Sequence, residues 1–268
     1  MTDPETTRDL LARYLTQRGE LGQSEWFLEE STASEFLESL STPSEKTNGS
    51  VVAGARVPAV RRTLEVAGVS GPAAGSDAFE ALRSTVLSCT SCRLSEGRNT
   101  VVFGEGDANA DLLVVGEAPG YEEDRSGRPF VGPAGQLLDK MLAAVGFLRG
   151  EVFICNVLKC RPPKNRDPAA DEVAVCKPYL RKQVELIQPK AICAFGRFAS
   201  QTLLTTETSL GRLRGATHEF MGIPVVVTYH PAALLRNAQW KRPAWEDLKL
   251  LRRVYDDAGG RPPGGEHA

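Results

Sequence analysis

A chain of 268 residues with 41% hydrophobic and 25% charged side chains can bury a sizeable core, which excludes a disulfide-dependent mini-protein, a collagen-like fibre and a fully disordered polymer. Its net charge of −2 argues at first sight against a nucleic-acid partner, but residues 1–80 carry 13 acidic and 7 basic side chains, net −6, and residues 81–268 carry 21 and 25, net +4. No apolar run reaches the roughly 20 residues of a membrane span, and Met1-Thr2-Asp3-Pro4-Glu5 lacks the basic start and apolar stretch of a secretory signal, so a cytoplasmic location is expected.

The acidic front, residues 1–77, reads as an extension. Leu10-Leu11-Tyr14-Leu15 and Ala33-Phe36-Leu37-Leu40 place apolar groups on one face at helical spacing, and Gly19 and Gly22 separate them. Helices this short are marginal alone, so a protein partner for their apolar faces and loose docking on the chain's own body both stay open. From Ser41 to about Asp77 the composition turns to Ser, Gly, Pro, Ala and Val without periodicity, the pattern of a linker disordered in part.

The body is expected over 78–258, with a disordered tail over 259–268. Apolar runs at Leu112–Val115, Val152–Cys155, Ala191–Phe195 and Val225–Thr228 read as buried strands, and helical patterns fall near 134–146, 169–187, 197–204 and 243–256. Strands alternating with helices predict an α/β fold, a three-layer α/β/α sandwich around a mostly parallel sheet. Ligands of such folds bind beyond the carboxyl ends of the strands. The unusual segments stand at those ends: Gly116-Glu117-Ala118-Pro119-Gly120, Asn156, Gly196-Arg197 and Tyr229-His230-Pro231.

Cys89-Thr90-Ser91-Cys92 is a C-x2-C pair, and Cys160 and Cys176 form a second pair. Four thiolates hold either zinc or an iron–sulfur cluster, and spacing does not separate the two. Cys155 and Cys193, inside apolar runs, are expected in the core. Between the second pair lies Arg161-Pro162-Pro163-Lys164-Asn165-Arg166-Asp167-Pro168, where three prolines stiffen and three cations decorate a loop suited to phosphate.

Together these residues resemble the family 4 uracil-DNA glycosylases. The resemblance is carried by Gly116–Gly120 with Glu123-Asp124, by Gly127-Arg128-Pro129-Phe130-Val131-Gly132-Pro133-Ala134-Gly135, by Asn156-Val157-Leu158-Lys159-Cys160-Arg161-Pro162-Pro163, by Gly196-Arg197 and by Thr228-Tyr229-His230-Pro231-Ala232. These span about residues 80–256 in the family's order; the first 77 residues lie outside it.

The resemblance implies hydrolysis of the bond between uracil and deoxyribose in single- or double-stranded DNA, by a monomer without abasic-site lyase activity. It implies a [4Fe–4S] cluster on Cys89, Cys92, Cys160 and Cys176, with zinc as the alternative. Phe130 is then the platform on which uracil stacks, Asn156 reads the imide edge, and Glu123 stands by the C5 edge to exclude thymine. His230 donates to the uracil oxygen as charge develops on the departing base. A related branch has Asp where this chain has Ala118, leaving Glu117, assisted by Asn156, to orient water. Leu234 and Leu235 follow as a wedge filling the space of the flipped nucleotide, and Arg161, Lys164, Arg166, Arg197 and Arg236 as DNA contacts. Two rival readings are a binder that becomes covalently trapped on uracil-containing DNA and a non-catalytic, metal-containing nucleic-acid module. Glu117 and the short Arg161–Pro168 loop depart from the first, and the joint presence of Glu117, Asn156 and His230 speaks against the second.

Overall fold

The apolar runs read from the sequence become β2 (Leu112–Gly116), β3 (Phe153–Asn156), β4 (Ala191–Phe195) and β6 (Ile223–Thr228), all parallel. The computed structural model describes residues 74–262; the helices expected over 8–40, the linker up to residue 73 and the tail beyond 262 lie outside the described residues. Two short strands were not anticipated. β1 (Glu105–Gly106) and β5 (Thr217–Phe220) add antiparallel edges to β3 and β6, giving the order β1-β3-β2-β4-β6-β5. Neither edge presents the continuous apolar run that marked the central strands.

Side chains alternate across the sheet. Leu113, Val115, Cys155, Ile192, Ala194, Val225 and Val227 face a layer built from α1 (Ala74–Leu87), α5 (Ala170–Ile187) and α6 (Arg197–Leu204). Leu112, Val114, Ile154, Ala191, Cys193, Phe195 and Val226 face the other, built from α4 (Pro133–Ala143), α8 (Pro231–Arg236) and α9 (Lys241–Asp257). This is the three-layer α/β/α sandwich expected. The remaining helices α2 (Leu94–Gly97), α3 (Tyr121–Ser126) and α7 (Leu210–Leu213) are short connectors. None of the helices among the described residues is long and apolar enough to cross a membrane.

Two boundary expectations change. Ala74–Asp77, assigned to the linker by composition, belongs to α1, whose Phe79 meets Phe103 and Phe153 edge-on at centroid distances of 5.4 and 5.5 Å. Such pairs contribute about 0.5–1.5 kcal/mol each beyond burial. At the other end, Arg261 lies within the expected disordered tail, yet its Nε donates to Asp111 Oδ2 at 2.7 Å and its Nη2 to Asn109 O at 2.7 Å, holding residue 261 against the start of β2.

The connection after β2 returns to β3 and the connection after β4 runs to β6, in opposite directions along the sheet. Between diverging connections a crevice opens at the carboxyl ends of β2 and β4.

Candidate active site and cysteine pocket

A cleft of about 810 Å³ occupies that crevice. It gathers Glu117, Ala118, Glu123, Phe130, Asn156, Arg166, Arg197, His230 and Arg236 on one lining, so residues dispersed over 120 positions of sequence share one wall. Arg161, Lys164, Leu234 and Leu235 are not part of that lining.

Asn156 ends β3, buried, and its Oδ1 has no hydrogen-bond partner among the described residues. An orphaned buried acceptor costs about 1–3 kcal/mol, a cost a ligand N–H would remove. Room for it exists because residue 116 is glycine: a Cβ there would stand 2.3 Å from Asn156 Oδ1 and 2.5 Å from Phe130 Cζ. Phe130 is buried beside it with a left-handed backbone, φ 51°, a conformation costing an aromatic residue on the order of 1–3 kcal/mol. Its ring lies 5.5 Å from the His230 ring, 29° from parallel.

His230 caps α8. The backbone N–H of Ala232 donates to its Nδ1 at 3.2 Å, which leaves the proton of the neutral ring on Nε2. Burial, reinforced by the charge of Arg236, pushes this histidine down to about 4, so at neutral pH it is an uncharged Nε2–H donor. The strand end before it is anchored: Thr228 donates to Asp247 Oδ2 at 2.7 Å, and Tyr229 stacks on Trp240 at 4.8 Å with the Arg214 guanidinium 4.1 Å from its ring centroid.

Glu117 follows β2. Burial raises its carboxyl to about 7, Asp167 adds to the rise, and Arg197, paired with Asp167 at 3.0 Å, opposes it. Glu123, by contrast, is fully engaged. Its Oε1 accepts from the N–H groups of Val131 and Gly132 at 2.9 and 3.1 Å and its Oε2 from Gly120 at 3.0 Å, so it ties the Phe130 loop to the start of α3 while facing the cleft.

Two of the expected DNA contacts are engaged within the fold. Leu234 is 2% exposed and packs between α8 and the sheet, whereas Leu235 is 52% exposed; only Leu235 is free to act as a wedge. Arg166, exposed at the cleft, also commits its guanidinium to buried Glu172, Nη1 to Oε2 at 2.9 Å and Nη2 to Oε1 at 2.5 Å, and so braces the loop. Arg93 donates to the same Glu172 at 2.9 Å, joining the C-x2-C segment to the basic loop. Arg161 is held by Asn165 at 2.7 Å, with its guanidinium 5.0 Å from the ring centroid of exposed Tyr121 at the cleft rim. Lys164 is exposed at the turn Pro163–Asn165.

Cys89, Cys92, Cys160 and Cys176 line one small pocket with Arg98, Lys159 and Tyr179. Arg98 donates to Cys160 Sγ at 3.1 Å and Tyr179 to Cys89 Sγ at 3.3 Å. Burial raises Cys160, and raises Cys176 to about 11. Cys89 goes the other way: burial opposes the change, but hydrogen bonds from Tyr179 and Ser91 outweigh it and lower the thiol. Cys155 and Cys193 are buried in the two core layers, as expected.

Comparison with known proteins shows the family. Residues 103–249 match the family model of the uracil DNA glycosylase superfamily. A type-4 uracil-DNA glycosylase of Archaeoglobus fulgidus is 44% identical over 62% of this chain and 87% of its own, and one of Sulfurisphaera tokodaii 42% identical over 66% and 85%. A third, from Thermotoga maritima, is 41% identical over 68% of this chain and 96% of its own. The chain belongs to the type-4 uracil-DNA glycosylases. The lining of the cleft comes from the ends of the parallel strands and from the loops and helices that follow them. Sequence motifs pointed to most of those loops, but Arg149, which holds the Phe130 loop from below, has no motif of its own.

Proposed function

We infer that this chain excises uracil from DNA, hydrolysing the N-glycosidic bond to leave an abasic site, as the activity named for its relatives implies. The observation that carries the reading is the unpartnered Asn156 Oδ1 beside Phe130. Uracil presents an N3–H donor to such an acceptor; cytosine presents a bare nitrogen and would leave both groups unpaired, a discrimination of about four to five powers of ten in sites built on one hydrogen-bonding edge.

The nucleotide leaves the helix, at a cost of a few kcal/mol. Its base stacks on Phe130, worth about 1–3 kcal/mol, with Glu123 fixed at the rim and Ala118 giving room on the floor. His230, neutral, donates from Nε2 to a uracil oxygen whose charge grows as the bond breaks, which stabilises the transition state above the bound substrate. Glu117, near 7, orients and deprotonates the attacking water. Leu235 fills the vacated stack, and Arg197 and Arg236 meet phosphates.

The four pocket cysteines fit a [4Fe–4S] cluster. Four thiols lining one pocket are a donor set that suits such a cluster, with zinc as the alternative. Cys89, Cys92, Cys160 and Cys176 would hold it, and the cluster would then cross-link the C-x2-C segment, the start of the basic loop and α5, a bracing role rather than a part in hydrolysis.

Purified protein incubated with an oligonucleotide carrying one uracil, then treated with alkali, should give cleavage at that position; an intact strand refutes the reading, as does a denaturant-resistant protein–DNA band accumulating in place of free uracil. A brown protein absorbing broadly near about 400 nm supports iron–sulfur over zinc.

A further inference from the structure

Phe130 holds a backbone conformation that its own chemistry disfavours, and one side chain from outside the cleft collects the consequences. Arg149 lies in the turn Arg149–Glu151 after α4, with its side chain 18% exposed. Its Nη2 donates to Pro129 O at 2.6 Å and its Nη1 to Phe130 O at 3.2 Å, so one planar guanidinium takes the two successive carbonyls that frame the left-handed residue. The same Nη1 donates to Asp139 on α4 at 2.9 Å, and Nε reaches Glu105 on β1 at 3.4 Å. Glu105 in turn accepts both donors of Arg128, each at 2.7 Å, which closes the network on the residue just before Pro129. Gly135 completes the seat: a Cβ there would stand 1.8 Å from Phe130 O.

We propose that Arg149 is a positioning residue for uracil recognition, a clamp that locks the left-handed backbone at Phe130 and thereby fixes the ring against Asn156 and His230. The proposal rests on the uracil-excising reading above. Arg149 touches no substrate. It works by making the two carbonyls point one way, which only a forked, permanently charged donor does; a lysine offers one point charge and a glutamine one uncharged amide.

The test is a double-mutant cycle on the holoprotein, read as single-turnover uracil release, with Arg149→Gln and Phe130→Ala alone and together. Arg149→Gln is expected to lower kcat/KM about ten- to a hundredfold, the range for losing charge-assisted hydrogen bonds. In the Phe130→Ala background the same change should add less than about twofold, because the ring it positions is gone. Affinity for the same oligonucleotide carrying thymine, measured by anisotropy, should not move. Arg149→Lys should recover part of the rate, and Asp139→Asn, which keeps the arginine, should give a smaller loss that also vanishes in the Phe130→Ala background; this second variant decides the matter if Arg149→Gln does not fold. Equal losses in both backgrounds, wild-type rates in Arg149→Gln, or lost affinity for thymine-containing DNA would each overturn the clamp. Wild-type protein that releases no uracil would instead overturn the function itself.

Discussion

Removing the carboxyl of Glu117 should change the shape of the pH profile as well as the rate. Its carboxyl stands near 7 because it is buried and because Asp167 repels its charge, with Arg197 giving partial relief. A base works only when deprotonated, so activity should be full above about pH 7 and fall as pH drops through that value. At pH 5, about two units lower, roughly one carboxyl in a hundred is ionised, and kcat/KM should sit about a hundredfold below its plateau. His230 protonates only near 4, too low to produce this limb. Glu117→Gln should lose about two to four powers of ten on the plateau and give a flat profile. Asp167→Asn removes the carboxylate that raises Glu117 and releases Arg197 from its 3.0 Å pair, so the limb should shift to lower pH with the plateau kept. Single-turnover release of uracil from a labelled oligonucleotide, with folding checked by circular dichroism at each pH, measures all three. A limb in the ordinary carboxylate range near 4.5, or one that persists in Glu117→Gln, would refute the assignment.

Gly116→Ala puts a methyl group where Asn156 Oδ1 and Phe130 Cζ leave none, 2.3 and 2.5 Å away, and should abolish uracil release while titrations still show binding to undamaged DNA. The adjacent leucines should separate by assay: Leu234→Ala loses about 2–5 kcal/mol in urea unfolding as a buried truncation, whereas Leu235→Ala changes stability by no more than about 0.5 kcal/mol and slows excision from double-stranded more than from single-stranded DNA. Glu172 is held near 2, chiefly by Arg166 against the cost of burial and with help from Ala169 N–H and Arg93. A lowered carboxyl stabilises the fold above its ordinary pKa of 4.5 and loses that contribution as pH falls towards 2. Glu172→Gln should therefore be less stable at neutral pH and flatter between about pH 4.5 and 2, as followed by thermal melts.

The parallel core was legible because strands buried on both faces must be apolar throughout, as Ala191–Phe195 is. The edges were not, since Thr217–Phe220 has exposed positions and takes its strand form from pairing with β6. The cleft residues were legible where they act through side chains of distinctive chemistry, as at Asn156 and His230. Leu234 and Leu235 carry identical side chains, and six residues of helix give too short a period to say which faces inward. Arg149 and Glu172 were silent for another reason: the first acts on carbonyl groups every residue possesses, and the second on arginines that local pattern presents as ready for phosphate.

The alternation that built the core also sorts the thiols. Cys155 on β3 and Cys193 on β4 are separated by β2 and face opposite layers, fully buried and with burial raising both thiols. They are out of reach of one another and of reagents in water. Cys160 and Cys176 are buried with raised thiols as well, so a thiol count on the folded protein reads chiefly the half-buried Cys89 and Cys92, and occupancy of their pocket becomes a loss of those two sulfurs that a simple colorimetric titration can follow.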